Sequence, residues 1–215
     1  MTTLLRVDSS PRDNSISRAL GDAFERTWRA AHPDGRVLTR DLARVPVPFI
    51  DAAWTEICDH LLAHRITDLD RLSEAARTPD QKRAWAIVEP LLTELRAADV
   101  VLITTPMHNF SIPAVLKAWL DQVTFPRMSL AGKRFVVATA RGGAYSPGAP
   151  KAKFDYQERY LRDFFAGHFA VDDARFVNAE LANARVDPLL ADHRTTHESS
   201  YADAIATAAE LGGKY

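Results

Sequence analysis

Four consecutive aliphatic residues, Val100-Val101-Leu102-Ile103, constrain the fold more than any other stretch of this chain. A strand with one wet face alternates apolar and polar residues, whereas an unbroken β-branched run suits a parallel strand covered on both faces. Phe135-Val136-Val137-Ala138 repeats the signature, and Leu4-Leu5-Arg6-Val7 carries a shorter version of it. Arg36 to Leu42 reads as an alternating strand, and Phe176-Val177 within Ala174 to Ala179 as a weaker fifth one.

The segments between these runs read as helices. From Ser17, Leu20, Ala23, Phe24 and Trp28 recur at helical spacing until His32-Pro33-Asp34-Gly35 ends the pattern. A strong helix is predicted from Pro79 to Ala98, with Trp85, Val88, Leu91, Leu92 and Leu95 inward, and a C-terminal one from about Thr195 to Leu211. After the proline-marked Pro46-Val47-Pro48, residues Asp51 to Leu72 look helical but polar and broken, and part of this region reads as an insertion. Alternating strands and helices imply right-handed crossovers, hence an α/β fold with a five-stranded, doubly wound parallel sheet and helices on both faces. With 215 residues, 47% of them hydrophobic, a single domain over residues 1–215 is expected.

Charge and cysteine usage narrow the function. A net charge of -1 gives no footprint for a nucleic-acid backbone or an anionic membrane, and no apolar run approaches the roughly 18 residues of a membrane span. The single cysteine, Cys58, cannot form an internal disulfide, and Met1-Thr2-Thr3-Leu4-Leu5-Arg6 lacks a basic stretch followed by a long apolar one. The expectation is a soluble, cytoplasmic protein that acts on small molecules, without nucleic-acid or membrane partners.

In such a sheet, ligands bind beyond the carboxyl ends of the strands. The first of these loops places Ser9, Ser10, Ser15 and Ser17 between a strand and a helix start, where hydroxyls and free amides can converge on a phosphate. Simple helix capping by Ser15 or Ser17 is the competing explanation. Neither the G-x-x-x-x-G-K-[ST] loop of nucleoside triphosphatases nor G-x-G-x-x-G is present. The second loop, Pro106-Met107-His108-Asn109-Phe110-Ser111-Ile112-Pro113, combines stiff prolines, a polarizable thioether, an amide and an aromatic face, which suits a flat heteroaromatic ring. Met107 and Phe110 as ordinary core residues are the alternative. The third loop, Arg141 to Gly148, is dense in turn residues.

Ser9-Ser10-Pro11-Arg12 with Ser15-Ile16-Ser17, then Pro106 to Pro113 with Leu116-Lys117, then Arg141-Gly142-Gly143, closely resembles the FMN-dependent NADH-azoreductase (NADH:quinone oxidoreductase) family over nearly the whole chain. The resemblance implies a flavodoxin-like homodimer with one noncovalent FMN per subunit, passing electrons from NADH or NADPH to quinones or azo compounds by two-electron ping-pong transfer. Carried over by motif, Ser10, Ser15, Ile16 and Ser17 hold the phosphate, Met107, His108, Asn109 and Phe110 border the flavin ring, and Ala140, Arg141, Gly142 and Gly143 line its polar edge. Two positions depart from the family pattern: His108 stands where Tyr is usual, and Ala140 where Ser is frequent. His108 is therefore a candidate proton donor to the reduced product. Phe164 to Phe169 also departs from the family pattern, which there helps to wall the substrate pocket, and no residue in it is assigned a role.

Other chemistries are less well supported. His60 and His64 after Cys58, and His193 and His197 beside Asp192, have helical spacing but no persuasive further ligand, so no metal is expected. No serine lies in a G-x-S-x-G elbow, which weakens a hydrolase reading. An FMN-binding electron carrier or regulatory module is the alternative function, although no extended charged run offers a docking patch for a redox partner.

Overall fold

The computed structural model describes residues 1–215. Its strands are β1 (Thr3–Asp8), β2 (Arg36–Asp41), β3 (Val100–Pro106), β4 (Arg134–Ala140) and β5 (Arg175–Ala179). They pair in parallel throughout, in the order β2-β1-β3-β4-β5. The chain therefore runs outward from β1 to β2 and returns past β1 to β3, which makes the β1/β3 junction the switch point where a ligand crevice opens.

The aliphatic run of β3 is explained by what covers it. Val101 and Ile103 join one apolar cluster, while Val100 and Leu102 join the cluster on the opposite face. The first cluster is roofed by α2 (Ala52–Ala63), α3 (Pro79–Ala97), α4 (Ala114–Val123) and α5 (Tyr156–Phe164). The second lies under α1 (Ile16–Ala31) and α6 (Arg194–Lys214), which supply Leu20, Phe24, Trp28, Ala204 and Ala208. With both faces dry, neither parity of β3 tolerates a charged side chain.

Local chemistry sets the helix boundaries. Thr78 and Gln81 form a reciprocal capping box at the start of α3, with Pro79 in its first turn. Asp51 accepts the Trp54 amide to begin α2. That helix ends at Ala63, Arg65 turns left-handed (φ 53°), and a short 3₁₀ turn at Leu72–Ala75 returns Leu72 and Ala75 to the core. The broken pattern from Asp51 to Leu72 is thus one helix and a connecting loop. Burial pushes the Cys58 thiol up to about 12, leaving it in its unreactive form at neutral pH.

Helix α5 has no counterpart in the periodicity described above. Asp155 caps it by accepting the Glu158 amide, and Gln157, Leu161 and Phe164 bury one face. The backbone then widens into a π turn over Phe165–Phe169. Phe165 and Phe169 pack on Phe135, with ring centroids 4.8 and 5.8 Å away. Because Phe135 lies near the start of β4, Phe164 to Phe169 sits at the end of the sheet opposite the three loops of the same chain.

The two helices of the smaller cluster touch most closely at Gly212, where a Cβ would lie 2.2 Å from the Phe24 carbonyl oxygen. Gly213 has open space at the same position. Gly212→Ala is expected to destabilise the fold by about 2 kcal/mol or more, since backbone must move. Gly213→Ala should be neutral or stabilising by up to about 1 kcal/mol through helix propensity. Urea denaturation of the two variants separates the effects.

Candidate flavin site

Loop one begins where β1 ends. Ser9 is consumed in joining strands: its amide and its hydroxyl both donate to the Thr104 carbonyl, at 3.0 and 3.1 Å. Ser10 follows, buried, its hydroxyl accepting the Arg12 amide at 3.3 Å. Ser15 occupies the cap position of α1 with extended backbone, yet its side chain makes no capping bond. Its hydroxyl instead lies 2.9 Å from that of Ser17, and both residues are buried. The amides of Ile16, Ser17 and Arg18 find no acceptor within the protein. Capping does not account for these serines; a helix start with free amides and adjacent hydroxyls has the donor set of a phosphate cradle.

Loop two is a tight hairpin. His108 and Ser111 exchange backbone hydrogen bonds at 2.9 Å in both directions, and the two residues between them, Asn109 and Phe110, have φ of 49° and 69°. Positive φ at both central positions defines a type I′ turn, in which Asn is well tolerated at the first position and Gly is favoured at the second. Phe110 is instead a bulky residue held in a left-handed conformation, a strain of about 1–3 kcal/mol of the kind that collects at functional sites. The ring is 40% exposed and stacks on Phe154 at 5.3 Å, so it is not a core residue; Met107 is half-buried. Pro113 precedes α4 and ends the loop.

Loop three lies beside loop two, joined to it where the Met107 amide donates to the Ala140 carbonyl at 2.8 Å. The carbonyls of Arg141, Gly142 and Gly143 accept from the amides of Ala182, Asn183 and Leu181 beyond β5. This turns the carbonyls outward and leaves the Gly142 and Gly143 N–H groups without acceptors. A Cβ on Gly142 would lie 2.8 Å from the side-chain amide of Asn183, which would have to move aside.

Arg141 acts differently from its neighbours. Its amide donates to Ala179 and its side chain is 1% exposed, directed into the protein. The guanidinium pairs with Asp155 at 2.9 Å and Glu158 at 3.0 Å, lies 3.6 Å from Glu180, and donates to Thr139. Glu180 in turn accepts from the Tyr145 amide and the Ser146 hydroxyl. Arg141 therefore shapes loop three from behind, while Ala140, Gly142 and Gly143 remain at its surface. Sequence reasoning did not identify Gln157, a fully buried residue of α5 whose side-chain amide holds the Pro106 carbonyl at 2.9 Å and so fixes the root of loop two. Its signal lay in the unrecognised helix.

His108 is exposed at the hairpin edge. The His60 and His64 rings lie 3.9 Å apart, with His64 Nδ1 on the His60 carbonyl, while His193 is exposed and His197 is buried with Nδ1 on the Glu180 carbonyl. No group of three or more His, Cys, Asp or Glu side chains is placed to hold a metal ion. A cavity of about 710 Å³ lies between the start of α1 and α6, lined by Ser15 and Ile16 of the first loop and by Arg194, His197 and Tyr201.

The order of strands, the crevice at the β1/β3 switch and the three donor-rich loops define a flavodoxin-like α/β protein. The corresponding family model, described as a flavodoxin-like fold, matches residues 2–202. Over all 215 residues the chain is 69% identical to an FMN-dependent NADH:quinone oxidoreductase of Nocardia farcinica, covering 100% of both. A protein of the same name from Acidobacterium capsulatum is 41% identical over 202 residues, 87% of this chain and 92% of that one. Among solved structures, an azoreductase of Bacillus anthracis shares the fold, with a TM-score of 0.81 and 24% identity over 100% of both chains. The chain belongs to the flavodoxin-like family of FMN-dependent NADH:quinone oxidoreductases.

Glu158, paired with Arg141, makes the fold sensitive to acid. Burial pushes the Glu158 carboxyl up, but hydrogen bonds from Asn178 and Arg162 and the charges of Arg162 and Arg141 outweigh it and hold the group below its ordinary value. A carboxylate so depressed contributes stability above its unfolded pKa and loses it as pH falls through the folded one. Glu158→Gln is expected to cost about 1–3 kcal/mol at pH 7. Urea midpoints measured from pH 7 down to pH 3 should show the gap to the parent protein narrowing below about pH 4.

Proposed function

We propose that this chain binds one FMN noncovalently per subunit, oxidises NADH or NADPH, and passes the electrons to a quinone or an azo compound. The observation that carries the reading is the set of free N–H groups beyond two strand ends, Ile16, Ser17 and Arg18 after β1 and Gly142 and Gly143 after β4, with the strained Phe110 hairpin after β3 between them. The 69% identity to a relative named for FMN, NADH and quinone supports the same chemistry here.

These residues fit the cofactor part by part. The three amides at the start of α1 and the hydroxyls of Ser10, Ser15 and Ser17 match a phosphate dianion in number and polarity. Met107 and Phe110 offer polarizable and aromatic surface to a flat ring, while Asn109, Gly142 and Gly143 supply donors to its polar edge. His108, exposed beside that edge, holds a proton for the reduced product. Bound FMN supplies the two-electron chemistry itself, so the protein's work is to hold and orient rings and to set the charge around them. Donor and acceptor use the same open face of the site in turn, a ping-pong sequence.

We further propose that the protein works as a cytoplasmic homodimer. Support comes from the segment after β2, where Val45 is 63% and Phe49 77% exposed next to Ile50, an apolar patch that a monomer leaves wet. Tyr145 in the Gly143 to Pro150 loop, by contrast, is buried within its own chain.

Stopped-flow spectra test the redox reading. FMN-loaded protein should bleach with NADH, recover its flavin absorbance with benzoquinone, and turn over NADH only when the quinone is present. Bleaching without quinone-dependent turnover points to an electron carrier. In the same assay His108→Ala should lower quinone-dependent turnover; an unchanged rate would take His108 out of the reaction. Sedimentation should give twice the 23.9 kDa chain mass, with Phe49→Asp shifting it toward the monomer. A parent protein that sediments as a single chain rules the dimer out.

A further inference from the structure

We infer that Arg18, a residue no phosphate motif requires, is the positioning residue that makes the first loop able to accept a dianion. The inference rests on the FMN reading of that loop. The Arg18 side chain folds back from α1 and is largely buried. Two of its nitrogens donate to the Ser10 carbonyl, Nη2 at 2.7 Å and Nε at 3.3 Å. Nη1 donates to Asp8 at 3.1 Å, and Nη2 pairs with Asp41 at 2.8 Å. One guanidinium thus ties together the end of β1, the end of β2 and the backbone of the loop.

Two consequences bear on an anion. First, the Ser10 carbonyl is held toward Arg18 and Asp41. Arg18 is the only donor in the protein to this carbonyl. Fixing it fixes the orientation of Ser10, whose amide has no acceptor and whose hydroxyl is already bonded to Arg12. Released, the oxygen is free to swing toward the loop interior, where it would repel a phosphate. Second, Asp8 and Asp41 are two carboxylates at the floor of the loop. Arg6 neutralises Asp8 in part at 3.0 Å but is shared with Asp22 and Glu25. Among cations Asp41 has only Arg18 and the exposed Arg44, at 3.6 Å, beside the Ala43 and Arg44 amides that its Oδ1 accepts. Without Arg18 the floor carries less compensated negative charge beneath the site of a bound dianion.

Both effects act on the phosphate and spare the ring, and this separates positioning from general stability. Riboflavin has the same ring and side chain as FMN and lacks the phosphate. The test is a fluorescence titration of apoprotein with FMN and with riboflavin, using the parent chain, Arg18→Ala, Arg18→Gln and Arg18→Lys, with a thermal melt of each apoprotein. The parent should bind FMN more tightly than riboflavin. Arg18→Ala and Arg18→Gln should weaken FMN at least about tenfold while changing riboflavin less than about twofold. Arg18→Lys, which keeps charge but loses the forked geometry, should fall between. If the parent prefers FMN and the Arg18 variants keep that preference undiminished, Arg18 does not position the cradle, although the cradle itself stands. If the variants lose both flavins equally along with thermal stability, the role is structural only and the inference is wrong. A parent chain that binds both flavins alike, or neither, overturns the phosphate cradle itself.

Discussion

The Asp8 carboxylate, placed where β1 gives way to the first loop, is the interaction on which the rest of the site depends. One oxygen accepts the Thr104 hydroxyl at 2.6 Å and Arg6 at 3.0 Å, and the other accepts Arg18. Its backbone carbonyl accepts the Leu42 amide. A single residue therefore binds the ends of β1, β2 and β3 and the first turns of α1 into one rigid unit. A buried carboxylate is costly unless each lone pair is used, and here its partners come from two strands and a helix that the chain must bring together to satisfy it. Burial on its own would lower the pKa of Arg6, but Asp8, Asp22 and Glu25 raise it above its ordinary value, so the guanidinium stays charged.

Arg141 repeats this logic two strands away. It gathers Asp155, Glu158 and Glu180 from α5 and from beyond β5 behind the third loop. In both places a buried guanidinium holds the scaffold while backbone carbonyls are tied down elsewhere, by Arg18 in the first loop and by the amides of residues 181–183 in the third. The result is a crevice edged by N–H groups, suited to the anionic and electron-rich parts of a nucleotide, with little charge exposed in it. Neutralising the charges behind the site is compatible with the small net charge of the chain. The strained hairpin at Phe110 sits between these two supports, pinned at its root by the Met107–Ala140 and Gln157–Pro106 hydrogen bonds.

The sheet was legible because its three central strands are dry on both faces: an unbroken run such as Val100 to Ile103 has few alternatives. The three loops were legible by their place after such runs. Helix α5 was not, because Gln157 replaces an apolar residue on its buried face and a π turn breaks the spacing at Phe165. The special backbone of Phe110 was also hidden, since a positive φ is expected of glycine rather than of phenylalanine. For Arg18 and Arg141 the sequence shows only arginines near loops. Whether such a side chain faces a ligand or supports the loop from behind is decided by carboxylates up to 39 residues away along the chain, as in the Arg141–Glu180 pair. Solvation is the usual fate of an arginine at a helix start, and here three partners prevent it.

The central claim is that the free amides after β1 and β4 and the hairpin after β3 form one continuous flavin site. A crystal structure of the protein grown with FMN tests it most directly. The account predicts the phosphate within hydrogen-bonding distance of the Ile16 and Ser17 amides, the ring against Met107 to Phe110, and the Gly142 and Gly143 amides at its polar edge. FMN seated instead in the cavity between α1 and α6, or a phosphate that leaves the Ile16 and Ser17 amides without a partner, would contradict it.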